Sequence, residues 1–219
     1  MRRGGAAGYG LSQRGTEILA EGDRRIFERP RARLADGWLL AVFSVPERER
    51  GRRHALRSRL SWLGFGTVSA GVWIAPAHLA AETTEVLDRH GLSGYVDLFS
   101  AGHLAYGDVR AQVGHWWDLD RLERLYQEFL DDYGPVLARW RGRRARAGGA
   151  AGAPGDGAAA FADYVLALTA WRRLPFLDPG LPADWHGLRA ARTFAALRAR
   201  LAAPAQAYVA AVTGQPSGA

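Results

Sequence analysis

From Trp38 to Val45 the chain is nearly all apolar, with two valines, a Phe and a Trp in eight residues. A short run of that kind predicts a central strand buried on both faces, ended by Pro46. Leu56, Leu60 and Leu63 then recur at helical spacing with Arg on the other faces, predicting a helix over Arg50 to Leu63 that Gly64 stops. The next stretch, "GFGTVSAGVWIAP", packs three glycines into eight residues, a density that phosphate-cradling loops share. A dinucleotide fingerprint needs G-x-G-x-x-G between a strand and a helix. Here the third glycine comes too late, a helix precedes and a strand follows, so the glycines read as a helix stop and sharp turns. Phe65 to Ser69 and Gly71 to Ala75 are expected as two short strands, Ala77 to His90 as a helix bearing Leu79, Val86 and Leu87, and "GYVDLFSA" as a fourth strand. The order strand, helix, strand, strand, helix, strand is the split βαβ, ferredoxin-like unit. Its sheet would leave one face uncovered, which invites a partner domain or a second subunit.

The flanks differ. "YGLSQRGTEILAEGDRRIF" predicts an extended piece around Tyr9 and Leu11, then a brief helix capped by Ser12. Thirty such residues cannot bury a core and read as the tail of another domain. After Trp116 the pattern is purely helical: Leu119, Leu122, Tyr126, Phe129 and Tyr133 form one apolar stripe, which Gly134-Pro135 is expected to interrupt. "RGRRARAGGAAGAPGDGAAA", residues 141–160, has the composition of an exposed linker. Phe161, Tyr164, Val165 and Leu168 begin a further amphipathic helix. A Pro-stiffened loop, "LPFLDPGLPADWHG", then leads to one or two helices from Leu188 to about Val212. The expected fold class is α+β, with an N-terminal remnant over 1–30, a ferredoxin-like middle domain over 34–112 and a helical domain over 115–214.

Composition narrows the class. The chain has 219 residues, 48% of them hydrophobic and eight of them Trp, enough for a proper globular core. No apolar run approaches the ~20 residues that cross a bilayer, and the basic N-terminus lacks the apolar stretch of a secretory signal. There is no cysteine, which excludes disulfides and thiolate chemistry and fits a cytoplasmic location. All 29 basic residues are Arg, and the net charge of +7 is uneven. Residues 1–33 hold eight Arg against four acids, whereas residues 34–117 balance at eight each. A basic N-terminal end points to a polyanionic partner.

Candidate chemistry is sparse. His54, His78, His90, His103, His115 and His186 are scattered, and no pair has the spacing of a zinc site. No H-E-x-x-H, G-x-S-x-G or Walker motif occurs, and the adjacent Asp131 and Asp132 diverge on a helix. Neither catalysis nor a cofactor is expected. The arginines from Arg48 to Arg59 alternate with Glu47 and Glu49 as a solvated helix face. Those beside Trp73 could still hold an anionic ligand by charge-assisted bonds while the indole stacks on its apolar part.

Taken in order, "WLLAVFSVPERERGRRHALRSRLSWLGFGTVSAGVWIAP", "WDLDRLERLYQEFLDDY" and "WRRLPFLDPGLPADWHG" give the chain a clear likeness: it resembles the PaaX family of transcriptional repressors, named for phenylacetic acid degradation. The resemblance implies a winged helix that binds operator DNA, a ferredoxin-like middle domain that supports homodimerisation, and a helical C-terminal domain. "YGLSQRGTEIL" and "RRIF" then resemble the last strand of the wing and the short helix after it. The recognition helix is expected upstream of Met1, through a misplaced start rather than a truncated gene, and Arg2, Arg3 and Arg14 are the DNA-contacting candidates that remain. The middle domain is also compared with a CRISPR-adaptation nuclease fold whose metal-binding Asp ends the first strand. Ser44 and Val45 stand there, which argues against a nuclease. The implied effector is an acyl-CoA such as phenylacetyl-CoA, an anion with a flat aromatic end. Arg53, Arg57 and Trp73 in the middle domain, and Trp171 and Arg172 beside the Asp-Pro loop, are its candidate contacts. The rival reading is a module that does not bind DNA and modulates a full-length relative through dimerisation or effector binding.

Overall fold

The computed structural model describes residues 10–28, 30–103, 108–146, 156–182 and 187–214. It opens on helix α1, Gln13–Phe27, where the Ser12 hydroxyl accepts from the Gly15 amide at 3.1 Å. One continuous 15-residue helix stands where a strand and a short helix were expected, and Leu11 joins no strand. Tyr9 lies outside the described residues.

The middle of the chain folds as its periodicity predicts: β1 (Trp38–Phe43), α2 (Arg50–Leu63), β2 (Gly66–Ser69), β3 (Val72–Pro76), α3 (Ala80–Arg89) and β4 (Val96–Ala101). The four strands form one antiparallel sheet in the order β2-β3-β1-β4, the ferredoxin-like arrangement. Gly64 ends α2 with φ at 91°, a conformation that glycine adopts without a Cβ penalty. Leu39, Ala41 and Phe43 point from β1 to one side of the sheet, where Leu56, Leu60 and Leu63 of α2 and Val86 and Leu87 of α3 close the core. Each fully buried leucine contributes about 1.5–3 kcal/mol.

The other face is neither bare nor fully covered. Helix α4, Val109–Trp116, is capped by Asp108 and lays Val113 against Trp38 and Ile74. The expectation of an uncovered face therefore holds only around Val42 and Phe99, the latter 52% exposed. No apolar run announces α4, because eight residues with one buried valine carry too little periodicity. Trp117 follows it, donates Nε1–H to the Gly64 carbonyl at 3.0 Å, and lies against Gly66.

Helices α5 (Leu119–Arg146), α6 (Asp156–Trp171), α7 (Leu174–Leu177) and α8 (Leu188–Thr213) complete the chain. Three expectations change here. Pro135 does not interrupt α5: packing of Tyr126, Phe129 and Leu137 on both sides of it outweighs the roughly 3 kcal/mol of an internal proline. The linker narrows, since α5 runs on to Arg146 and α6 begins at Asp156 with Ala160 fully buried; residues 147–155 lie outside the description. Finally, α6 buries its small side, Ala160 and Ala167, against α8, while Phe161 and Val165 stay exposed. Alanines allow α6 and α8 to approach closely, and a hydropathy pattern ranks them below Phe and Val.

A Cβ at Gly66 would meet the Trp117 ring at 2.6 Å and the Trp116 carbonyl oxygen at 2.7 Å. Gly66→Ala is therefore expected to destabilise the protein by about 1–3 kcal/mol, read as a lowered midpoint in urea unfolding. An unchanged midpoint would show that the contact between Trp117 and the sheet is loose.

Candidate functional site

The site begins with a carboxylate. Asp178 closes α7 and is 1% exposed. The Tyr126 hydroxyl of α5 donates to its Oδ2 at 2.6 Å, the Arg31 guanidinium lies 2.8 Å from the same oxygen, and the Gly180 amide donates to Oδ1 at 2.7 Å. A buried charge needs such partners, because desolvation otherwise outweighs any gain. The Gly180 carbonyl in turn accepts from the Ala32 amide at 2.7 Å, lacing the segment after α1 to the Asp-Pro-Gly loop. Burial, then the Asp178 charge, then the hydrogen bond to that carboxylate push the Tyr126 phenol well above its ordinary range. At the start of α8, Gly187 has φ of 73°, and a Cβ there would lie 2.5 Å from the Tyr126 ring, so only glycine leaves room for it.

Beside this network lies a cavity of about 750 Å³. Its aromatic wall is Trp171 of α6, Phe194 of α8 and Phe27 of α1. Trp171 stacks on Phe194 at 4.9 Å and donates Nε1–H to the Ile26 carbonyl at 3.1 Å. Alanines of α8 make a smooth second wall, with Arg31, Arg192 and Arg198 around it. Arg31 is paired with Asp178, and the Arg198 guanidinium stands 3.9 Å over the Phe27 ring. Among the described residues neither Arg192 nor Arg198 is held by an acid. The arrangement can receive an anion at its guanidinium groups and a flat apolar group at its rings.

The predicted contact residues separate. Trp171 lines the cavity; Arg172 follows it, exposed, and does not. Arg53 donates to the Val45 carbonyl at 2.7 Å and pairs with Glu47 at 2.9 Å. Arg57 lies 5.9 Å over Trp73, whose ring is buried in the sheet core beside Phe43. None of these three lines the cavity. Arg2 and Arg3 lie outside the described residues, and Arg14 is placed only as far as the first turn of α1, its side chain being outside the description too. Sequence reasoning missed Arg31, Arg192, Arg198 and the Tyr126–Asp178 pair. The four-residue spacing of Ala191, Ala195 and Ala199 beside two arginines was the signal available for α8. Among the described residues no cluster of His, Asp and Glu could hold a metal, and no helix is long and apolar enough to cross a membrane.

Fold and cavity together define an α+β protein with a ferredoxin-like sheet domain and a helical bundle that holds a ligand-sized pocket. Two family descriptions match it in order: the PaaX protein central Cas2-like domain over residues 31–113, and the PaaX-like protein C-terminal domain over residues 117–211. The chain belongs to the PaaX family of transcriptional regulators. Among solved structures, the uncharacterized protein Rv0674 from Mycobacterium tuberculosis is similar at 21% identity with a TM-score of 0.53, over 92% of this chain and 75% of that one. At that identity the likeness speaks for the fold alone. No curated protein matches the sequence.

Tyr126 supplies a test with a defined sign. Its folded pKa is raised, so its contribution to stability is complete below about pH 10, the unfolded value, and is lost as pH rises above it. Tyr126→Phe is expected to lose about 1.5–3 kcal/mol at neutral pH, the worth of a hydrogen bond to a charged group, and to fall less steeply than wild type between pH 10 and 11. Parallel slopes in the two unfolding series would mean the phenol ionises as freely in the folded state as in the unfolded one.

Proposed function

We propose that the protein is a transcriptional repressor of an aromatic-acid catabolic operon, of the phenylacetate type, whose hold on operator DNA is released by an acyl-CoA. The observation that carries this reading is the cavity beside Asp178, where the half-buried Phe27, backed by the stacked pair Trp171 and Phe194, offers apolar surface next to Arg192 and Arg198. An acyl-CoA presents the complementary pair of features, an apolar acyl end and phosphates. For such a ligand to relieve repression it must bind the DNA-free conformation better than the DNA-bound one; equal affinity would shift nothing. Arg2, Arg3 and Arg14 are the DNA contacts this reading assigns to the N-terminal end, as counter-charges to phosphate rather than readers of sequence. The open patch around Val42 and Phe99 supports pairing of two copies through the sheet domain. No enzymatic step enters the reading, and the place of action it implies is the cytoplasm.

Titration calorimetry with phenylacetyl-CoA tests it. Trp171→Ala and Arg198→Ala are each expected to weaken binding about tenfold or more, that is by about 1.4 kcal/mol or more. Arg57→Ala, which touches Trp73 and not the cavity, is expected to stay within about twofold. Absence of binding to the wild type, or an Arg57→Ala loss as large as that of Arg198→Ala, would overturn the assignment.

A further inference from the structure

Among the described side chains, helix α1 is attached by its end. From Leu11 to Ala20 every residue whose side chain is described, apart from Gly15, is exposed, Leu11 at 71% and Ile18 at 58%. Its last turn carries the attachment seen among the described side chains and addresses two places at once, because successive residues on a helix point about 100° apart. Ile26 and Phe27 face the cavity. The Ile26 carbonyl, one of the four that a helix end leaves without an internal partner, accepts from Trp171, and Phe27 lies between Phe194 at 6.1 Å and the Arg198 guanidinium. Arg25 turns the other way and is 7% exposed. Its guanidinium stands 5.1 Å from the Trp62 ring of α2 and 5.0 Å from the Phe176 ring of α7, with Glu82 of α3 at 3.7 Å. That one side chain thus touches both the sheet domain and the helical domain.

From this placement we infer that the last turn of α1 is a latch set by the cavity's occupant: a ligand seated against Ile26 and Phe27 holds α1 on the body, and with α1 held, Arg25 clamps the joint between the two domains. The inference rests on the effector reading above and adds to it the part that moves. Ile26 and Phe27 are half-buried and line the cavity, so a ligand seated there covers their remaining apolar surface and gains those contacts only when α1 is docked. A ligand that binds only the docked state multiplies the ratio of docked to undocked protein by 1 + [L]/Kd, about 100-fold at 100 times Kd. The coupling is reciprocal, so whatever lowers the docked fraction of α1 weakens the ligand in proportion to that fraction. Arg25 makes the reciprocity testable, since it does not line the cavity.

The experiment is amide hydrogen exchange of the full chain with and without phenylacetyl-CoA at 100 times its Kd, followed over residues 13–28, with the central strand β3 as internal reference. Exchange over the last two turns of α1 is expected to slow about tenfold or more on binding while β3 changes little. Arg25→Gln is expected to speed α1 exchange in the free protein and to weaken phenylacetyl-CoA by the factor by which the docked fraction falls. If phenylacetyl-CoA binds, Trp171→Ala weakens it, and α1 exchange stays unchanged, the latch is refuted and the effector reading survives. If phenylacetyl-CoA does not bind at all, the effector reading falls and the latch falls with it. If Arg25→Gln fails to fold, the wild-type comparison alone decides.

Discussion

Asp178 cannot sit where it does without help. A carboxylate 1% exposed to water needs a counter-charge and donors for both oxygens, and its partners among the described residues include Arg31, Tyr126 and the Gly180 amide. Meeting that demand pins the segment after α1 to the loop after α7, and pins both to the middle of α5. Removing Arg31 would leave the carboxylate charge uncompensated in the interior, at a cost of about 3–5 kcal/mol for a broken buried pair. The cavity is a consequence. Its walls come from α1, α5, α6 and α8, and the carboxylate network is what brings the chain around it.

The two domains are joined by contacts of a different kind. Trp117 lies on the flat spot that Gly66 leaves, and Trp116 and Trp117 pack on Trp38 at 5.5 and 6.1 Å. Trp62 of α2 meets Phe176 of α7 at 5.8 Å, with Arg25 over both rings. Aromatic surface and one guanidinium therefore carry much of the joint, and two of the three ring contacts in that second cluster depend on α1 being in place. A helix exposed along its first half and buried at its last turn is well placed to report the state of the cavity to whatever it contacts.

The sheet domain was the legible part. Its strands show as apolar runs, α2 as leucines at helical spacing, and the glycines resolve into a stop and turns once the fingerprint spacing is seen to fail. Elements whose burial depends on small or isolated residues were not legible: Val113 alone carries α4, and Ala160 and Ala167 carry the buried side of α6. Pro135 misled in the opposite direction, since tertiary packing holds α5 continuous through a proline that local rules treat as a break. Of the site, Trp171 could be chosen as an aromatic near an Asp-Pro loop. The pairing of Arg31 with Asp178 spans 147 positions, and no local pattern encodes a contact at that range. Trp73 drew attention through its neighbouring arginines, yet a tryptophan in an apolar strand is more readily a core residue, and there it is buried.

A crystal structure of the protein grown with phenylacetyl-CoA tests the central claim most directly. The account predicts the acyl ring against Trp171 and Phe27, phosphates within reach of Arg192 or Arg198, and α1 held against the bundle. Ligand density outside this cavity, above all beside Arg57 and Trp73, would contradict it.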